Sequence, residues 1–209
     1  MKRKPRLMKK LSADKRNGVR EVIGLIGIRP GSGVTYTGLM LAFYMAEELG
    51  RKTAFLECNT HQDFRLLQWA YDWTAEENKS FSFYQLTCYR DKRPEELSEL
   101  FGDNYECIII DFGCDCTEYA SSLRLCTRKI ILSGSSEWDL MKLKQFVEKS
   151  YAVRGNESWC YLIPQAKEST IVKLRKELKR NVMAVPQEQE PTRLKRSSRL
   201  FLQELLNQE

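Results

Sequence analysis

Short apolar runs and longer amphipathic stretches take turns along this chain from residue 21 onward, and that alternation is its main structural signal. Runs of four to seven residues rich in Ile, Val and Leu fall at 22–28, 53–57, 107–111, 129–133 and 159–163, with a short one at 182–185. Continuous apolar runs of this length read as strands buried on both faces. Between them, apolar residues recurring every three to four positions predict helices over 35–49, 63–69, 94–101, 118–126, 138–151, 170–178 and 198–206. Strand and helix in alternation argue for a three-layer, doubly wound α/β fold with a mostly parallel sheet. Ligands of such sheets bind at the carboxyl ends of the strands.

Composition narrows this further. The 209 residues are 42% apolar and 30% charged, enough for a packed core and too apolar for global disorder. No apolar run approaches the ~18 residues that span a bilayer, and the N-terminus MKRKPRLMKK lacks the apolar stretch of a secretory signal, so the expected site of action is cytoplasmic. Seven cysteines, several inside strand-like runs, read as reduced, buried thiols. The net charge of +6 is unevenly placed. Residues 1–20 hold nine Lys and Arg and one Asp, a charge of +8, which leaves −2 on the other 189 residues. The chain therefore divides into a basic, flexible leader, 1–20, and one domain, 21–209. Such a leader is a candidate for contact with anionic lipid, nucleic acid or an acidic partner. The other expected linker is the polar stretch 187–191.

The most informative segment follows the first strand: Arg29-Pro-Gly-Ser-Gly-Val-Thr35, with a helix starting at its end. Glycines let successive backbone N–H groups turn inward, and a helix N-terminus adds partial positive charge, so the loop is built like a phosphate cradle. Thr35, in the first helical turn, stands where a hydroxyl can hold Mg²⁺. Two rival readings stay open. A dinucleotide fingerprint would want a third glycine at position 36, where Tyr36 stands, although Glu57 lies where a ribose-binding acid could be. A plain glycine-rich turn with no ligand is the other.

The order of this loop, the segment GRKTAFLECN, and YECIIIDFG with Asp111 closing its strand resembles the ParA/MinD family of deviant Walker ATPases, within the wider P-loop NTPases. A late NVMAVPQ is similar to the family's segment before its last helix. Among relatives the chain looks most like short, atypical members encoded with Tad/Cpa-type pilus machinery. The resemblance implies ATP and Mg²⁺ as cofactors, with Arg29, Gly31, Ser32, Gly33, Val34, Thr35 and Tyr36 lining the phosphates and Thr35 and Asp111 serving the metal. It also implies a homodimer, partners in a pilus or secretion system, and a place at the inner face of the cell membrane. Residues 112–117 would be a mobile switch.

Departures from the family pattern bear on the chemistry. Val34 stands where the phosphate-neutralising lysine belongs, and Arg29 where a second lysine reaches across the dimer. Asn59 replaces the acid that positions the attacking water, and Asn can orient water but cannot take its proton. No Asn follows the strand at 159–163 to read adenine. Phosphoryl transfer depends on positioning and charge neutralisation, and one lost contact costs roughly 3 kcal/mol. The expectation is a degenerate, nucleotide-binding pseudo-ATPase that acts as a localisation or assembly factor. The alternatives are a slow partitioning-type ATPase on DNA or membrane, and a nucleotide-free scaffold with a vestigial loop.

Other features have plainer readings. Cys114-Asp-Cys116 with Cys107, Cys126 and the lone His61 lacks the paired spacing of a zinc site. His61 reads as a polar loop residue, and Asp63 as a helix cap. The aromatic run 81–84 with Trp69, Tyr71 and Trp73 is short of the interleaved basic residues of a nucleic-acid platform, so it reads as packing. The tail 193–206 is amphipathic through Leu194, Phe201 and Leu205, and reads as a helix docked on the sheet, with membrane binding as the alternative.

Overall fold

The computed structural model describes residues 20–71, 79–83, 85–114 and 120–208. Its strands are β1 (Glu21–Gly27), β2 (Thr53–Glu57), β3 (Ser80–Phe83), β4 (Leu86–Tyr89), β5 (Cys107–Asp111), β6 (Arg128–Leu132), β7 (Cys160–Pro164) and β8 (Asn181–Val185). The helices are α1 (Val34–Phe43), α2 (Asp63–Tyr71), α3 (Leu97–Leu100), α4 (Ala120–Leu125), α5 (Glu137–Ser150), α6 (Glu168–Leu178) and α7 (Arg196–Asn207). All eight strands join one sheet in the order β3-β4-β2-β5-β1-β6-β7-β8. Only the β3–β4 pair is antiparallel. The expected α/β fold with a mostly parallel, helix-flanked sheet of the P-loop NTPase kind is what forms.

Each central strand sends alternate residues to two cores. Ile23 and Leu25 of β1 join Phe55, Ile109, Ile130 and Leu162 beneath α1 and α7, while Val22 and Ile26 join Leu56, Ile108, Ile110 and Ile131 beneath α3, α5 and α6. Fully burying one such side chain contributes ~1.5–3 kcal/mol, which is why these strands read as unbroken apolar runs. The registers place Asp111 of β5 opposite both Leu25 of β1 and Glu57 of β2. The carboxyl ends of β1, β2 and β5 thus meet at one rim of the sheet.

The hairpin β3–β4 was not legible as strands. Its residues Ser80-Phe-Ser-Phe83 alternate with period two, and their half-buried rings lean on the core: Phe81 on Phe64, centroids 6.5 Å apart, and Phe83 on Phe43 at 5.6 Å. The packing reading of that run holds for these residues. Tyr84 and Trp73 lie outside the described residues, as do the leader up to residue 19 and positions 115–117 of the expected switch.

The polar stretch expected as a linker is tied down. Glu188 accepts bonds from the Lys195 N–H at 2.8 Å and the Ser198 hydroxyl, capping α7 from a distance. Phe201, Leu202 and Leu205 are buried on the sheet, so the docked reading of the tail holds and its apolar face is occupied. No helix among the described residues is long and apolar enough to cross a membrane.

Helix α1 carries the glycine loop at its N-terminus and is buried around most of its circumference, ending in a π-helical turn at Tyr44–Glu48. It lies so close to the sheet that a Cβ on Gly38 would overlap the Phe55 ring and stand 2.9 Å from Leu25 Cδ1. Alanine favours a helix over glycine by ~1 kcal/mol, yet Gly38→Ala is expected to lower the unfolding free energy by ~1–3 kcal/mol through overpacking. Adding Phe55→Leu should recover part of that loss in urea denaturation. A neutral or stabilising Gly38→Ala would show that the close approach is not tight.

Candidate functional site

The loop after β1 is pinned at its base. Gly27 N–H donates to Gly113 O at 2.7 Å, and Ile28 N–H to Leu132 O at 2.9 Å. From there the chain turns through Gly31 (φ +74°) and Gly33 (φ +86°), left-handed conformations that glycine adopts without strain. Ser32, buried, donates its hydroxyl to Arg29 O at 2.7 Å and accepts from Arg29 N–H at 3.3 Å. Its side chain therefore closes the loop and leaves the backbone to face a ligand. No side chain caps α1, so the free N–H groups of its first turn remain open to a ligand. Val34 turns away into the core, where its Cγ2 would lie 2.9 Å from a Cβ on Gly27.

Under the loop, Thr35 Oγ1 stands 2.7 Å from Asp111 Oδ2 and 3.1 Å from Asp63 Oδ2. A hydroxyl has one proton, so it can satisfy one of these carboxylates, and the second contact calls for a cation or a shared proton. Gly113 N–H donates to Asp111 Oδ1 at 2.8 Å. Burial raises the pKa of Asp111 above its ordinary range, against the pull of the Thr35 and Gly113 bonds. This donor set fits Mg²⁺, a hard cation that uses few protein oxygens and completes its shell with water and phosphate. Among the described residues no cluster of three or more His, Cys, Asp or Glu is placed to cage a metal without such help.

Two acids here stand apart from their sequence readings, a helix cap for Asp63 and the place of a ribose-binding acid for Glu57. Asp63 opens α2, and its carboxylate faces Thr35. Glu57, 1% exposed, accepts Phe64 N–H on Oε1 at 3.0 Å and leaves Oε2 buried with no partner. Burial, reinforced by Asp111, Asp91 and Asp63, pushes its pKa up to about 7. Asn59, at the degenerate position, braces the backbone instead: its Nδ2 donates to Asp111 O at 3.3 Å and its Oδ1 accepts from His61 N–H at 3.0 Å.

Arg29 does not extend away from its own chain. Its Nε and Nη2 donate to Asp139 Oδ1 and Oδ2 at 2.5 and 3.0 Å, and its Nη1 to Pro30 O at 2.8 Å. Asp139 is the other residue that sequence reasoning missed. Its signal was Ser136, three residues before it, an N-cap whose hydroxyl accepts the Asp139 N–H at 3.3 Å. Tyr36 donates its hydroxyl to Glu188 O at 2.6 Å and forms one wall. The cavity enclosed by residues 29–36, His61, Asp63, Gly113 and Cys114 measures about 230 Å³. Pockets that enclose whole drug-sized ligands run to ~300–1,000 Å³, so this one suits a polyphosphate arm. Of the other thiols, Cys107 is buried within β5 and Cys126 lies beneath Gly24, with its pKa pushed up to about 12 by burial; Cys116 is outside the described residues.

No protein-family model matches the chain, and no curated protein matches it by sequence. Solved structures do match its fold. A putative plasmid partition protein of Borrelia burgdorferi bound to AMPPNP is 12% identical with a TM-score of 0.69, covering 90% of this chain and 98% of that one. A ParA family ATPase of Chlorobium tepidum is 16% identical, TM-score 0.62, over 92% and 94%. The septum site-determining protein MinD of Pyrococcus horikoshii, complexed with Mg-ADP, is 13% identical, TM-score 0.61, over 90% and 96%. The chain thus shares the fold of ParA/MinD-type P-loop ATPases at low sequence identity.

The buried Glu57 gives a pH test. Folding raises its pKa from about 4.5 to about 7, so between those values the native state binds more protons than the unfolded chain, and stability falls as pH rises through that window. Glu57→Gln keeps an acceptor for Phe64 N–H and removes the titration. In urea denaturation from pH 5 to 8, the wild type should lose about 3 kcal/mol more than the variant. Parallel curves would show that Glu57 does not titrate in this range.

Proposed function

We propose that this protein binds Mg·ATP with its glycine loop, hydrolyses it slowly or not at all, and acts as a spatial or assembly factor for a membrane-associated pilus or secretion apparatus, as a homodimer. The observation that carries the binding reading is the meeting of Thr35 and Asp111 under an uncapped helix N-terminus, at the rim where three parallel strands end. Backbone N–H groups around Gly31 and Gly33 would take the phosphates, and Thr35 with Asp111 would hold Mg²⁺. Bound Mg²⁺ supplies charge neutralisation at the phosphate oxygens. The apparatus rests on the sequence resemblance, and the basic leader supports a contact with anionic lipid.

Weak turnover follows from the residues present. Val34 brings no cation to the phosphates and is packed into the core. Asn59 is bonded to backbone groups and takes no proton from water. Asp63 is the carboxylate nearest the Thr35 hydroxyl besides Asp111, and supports some residual water positioning.

Calorimetric titration with Mg·ATP should give a binding isotherm, and phosphate release should stay below ~0.01 per second, between unassisted and assisted switch enzymes. No heat and no thermal shift at millimolar ATP would overturn the binding reading in favour of an empty scaffold. Faster release would favour the partitioning-type ATPase. Val34→Lys should tighten binding by about tenfold, the gain of one charged contact to phosphate. Removal of residues 1–20 should abolish sedimentation with anionic vesicles; retention would move that contact to the folded domain.

A further inference from the structure

Asp139 is 1% exposed and does not line the cavity. It lies in the first turn of α5, with both carboxylate oxygens on the Arg29 fork at 2.5 and 3.0 Å. Ser136 steadies the carboxylate by donating its hydroxyl to Oδ2 at 2.6 Å. A Cβ on Gly134 would overlap Asp139 Oδ2 and stand 2.7 Å from Arg29 Nη2, so the backbone leaves room for the pair and for little else. Arg29 is the only Lys or Arg among the described residues lining the cavity. A guanidinium edge fits a carboxylate and a phosphate by the same two parallel hydrogen bonds, and the Nε–Nη2 edge that holds Asp139 cannot hold a phosphate as well.

We propose that Asp139 is a positioning residue that occupies the Nε–Nη2 edge of Arg29 in place of a bound polyphosphate, so that this edge of the cavity's cation grips phosphate only when the intrachain pair opens. The proposal deepens the nucleotide reading and rests on the loop's capacity to take phosphate. Opening the pair leaves a buried carboxylate without its partner, which is strongly unfavourable. Anion binding is weakened by that amount, and the site holds its cation in reserve. A pair that merely braces the loop has the opposite consequence, because losing it would loosen the cradle and weaken binding.

Mg·tripolyphosphate, which has no base or sugar, reads the fork directly in calorimetry. Asp139→Asn should bind it about tenfold more tightly than the wild type, the worth of one charged hydrogen-bonded contact. Glu137→Gln, exposed in the same turn, removes the same charge without touching Arg29 and should leave affinity unchanged. Ser136→Ala loosens the Asp139 carboxylate at constant charge, should give a gain of about threefold, and decides the matter if Asp139→Asn does not fold. Equal or weaker binding in the variant, no binding to either chain, or the same gain in Glu137→Gln overturns the proposal. Mg·ATP titrated onto the wild type tests the nucleotide reading separately. Its failure with the tripolyphosphate gain intact removes that reading and keeps Asp139's assignment, and ATP binding without the gain does the reverse.

Discussion

The contact between Thr35 and Asp111 joins the first turn of α1 to the end of β5, and the arrangement of the rim depends on it. Asp111 is fully buried, a place where an ionised carboxylate survives only with strong partners. It has the Thr35 hydroxyl on one oxygen and the Gly113 N–H on the other. Gly113 in turn accepts the N–H of Gly27, so the same few atoms fix where β1 ends, where the loop begins and how α1 is aimed. Gly38 sets the distance: with a Cβ at that position, α1 would stand off from the sheet and Thr35 from Asp111.

Around that contact the charges are out of balance. Glu57, Asp63 and Asp111 converge from β2, α2 and β5, and the pKa values of Glu57 and Asp111 are raised by burial first and by that crowding second. The nearby guanidinium belongs to Arg29, which is committed to a carboxylate of its own. A site of this kind favours positive charge, through a proton or a divalent cation, before it favours phosphate. Under the proposed function, that ordering suits binding more than fast turnover, whose transition state needs fixed cations already aimed at it.

Much of the fold was legible because parallel strands buried on both faces write themselves as apolar runs. The limits 53–57 and 107–111 agree with the structure to the residue, and β1, β6 and β7 are displaced by one. The hairpin β3–β4 was missed because its strands are four residues long and one alternates serine with phenylalanine, which gives no apolar run. At the site, glycine spacing and the ends of strands led to the loop, Thr35 and Asp111. Asp139 and Asp63 were hidden for a shared reason: an acid in the first turn of a helix already has a sufficient local explanation. Their distant partners, Arg29 and Thr35, come into view only when separations of 110 and 28 residues are closed by the fold.

The hydrogen bond from Tyr36 to Glu188 closes a separation of 152 residues, and Glu188 is itself held by the start of α7. Seen along the time axis of synthesis, Tyr36 leaves the ribosome with the glycine loop, while the carbonyl that holds its hydroxyl arrives 152 residues later. At ~5–20 residues per second the interval is of the order of ten seconds. During it the nascent chain carries the glycine loop with Tyr36 not yet tied to Glu188. The hold on Tyr36, a wall of the cavity, is therefore coupled to synthesis of the segment around Glu188.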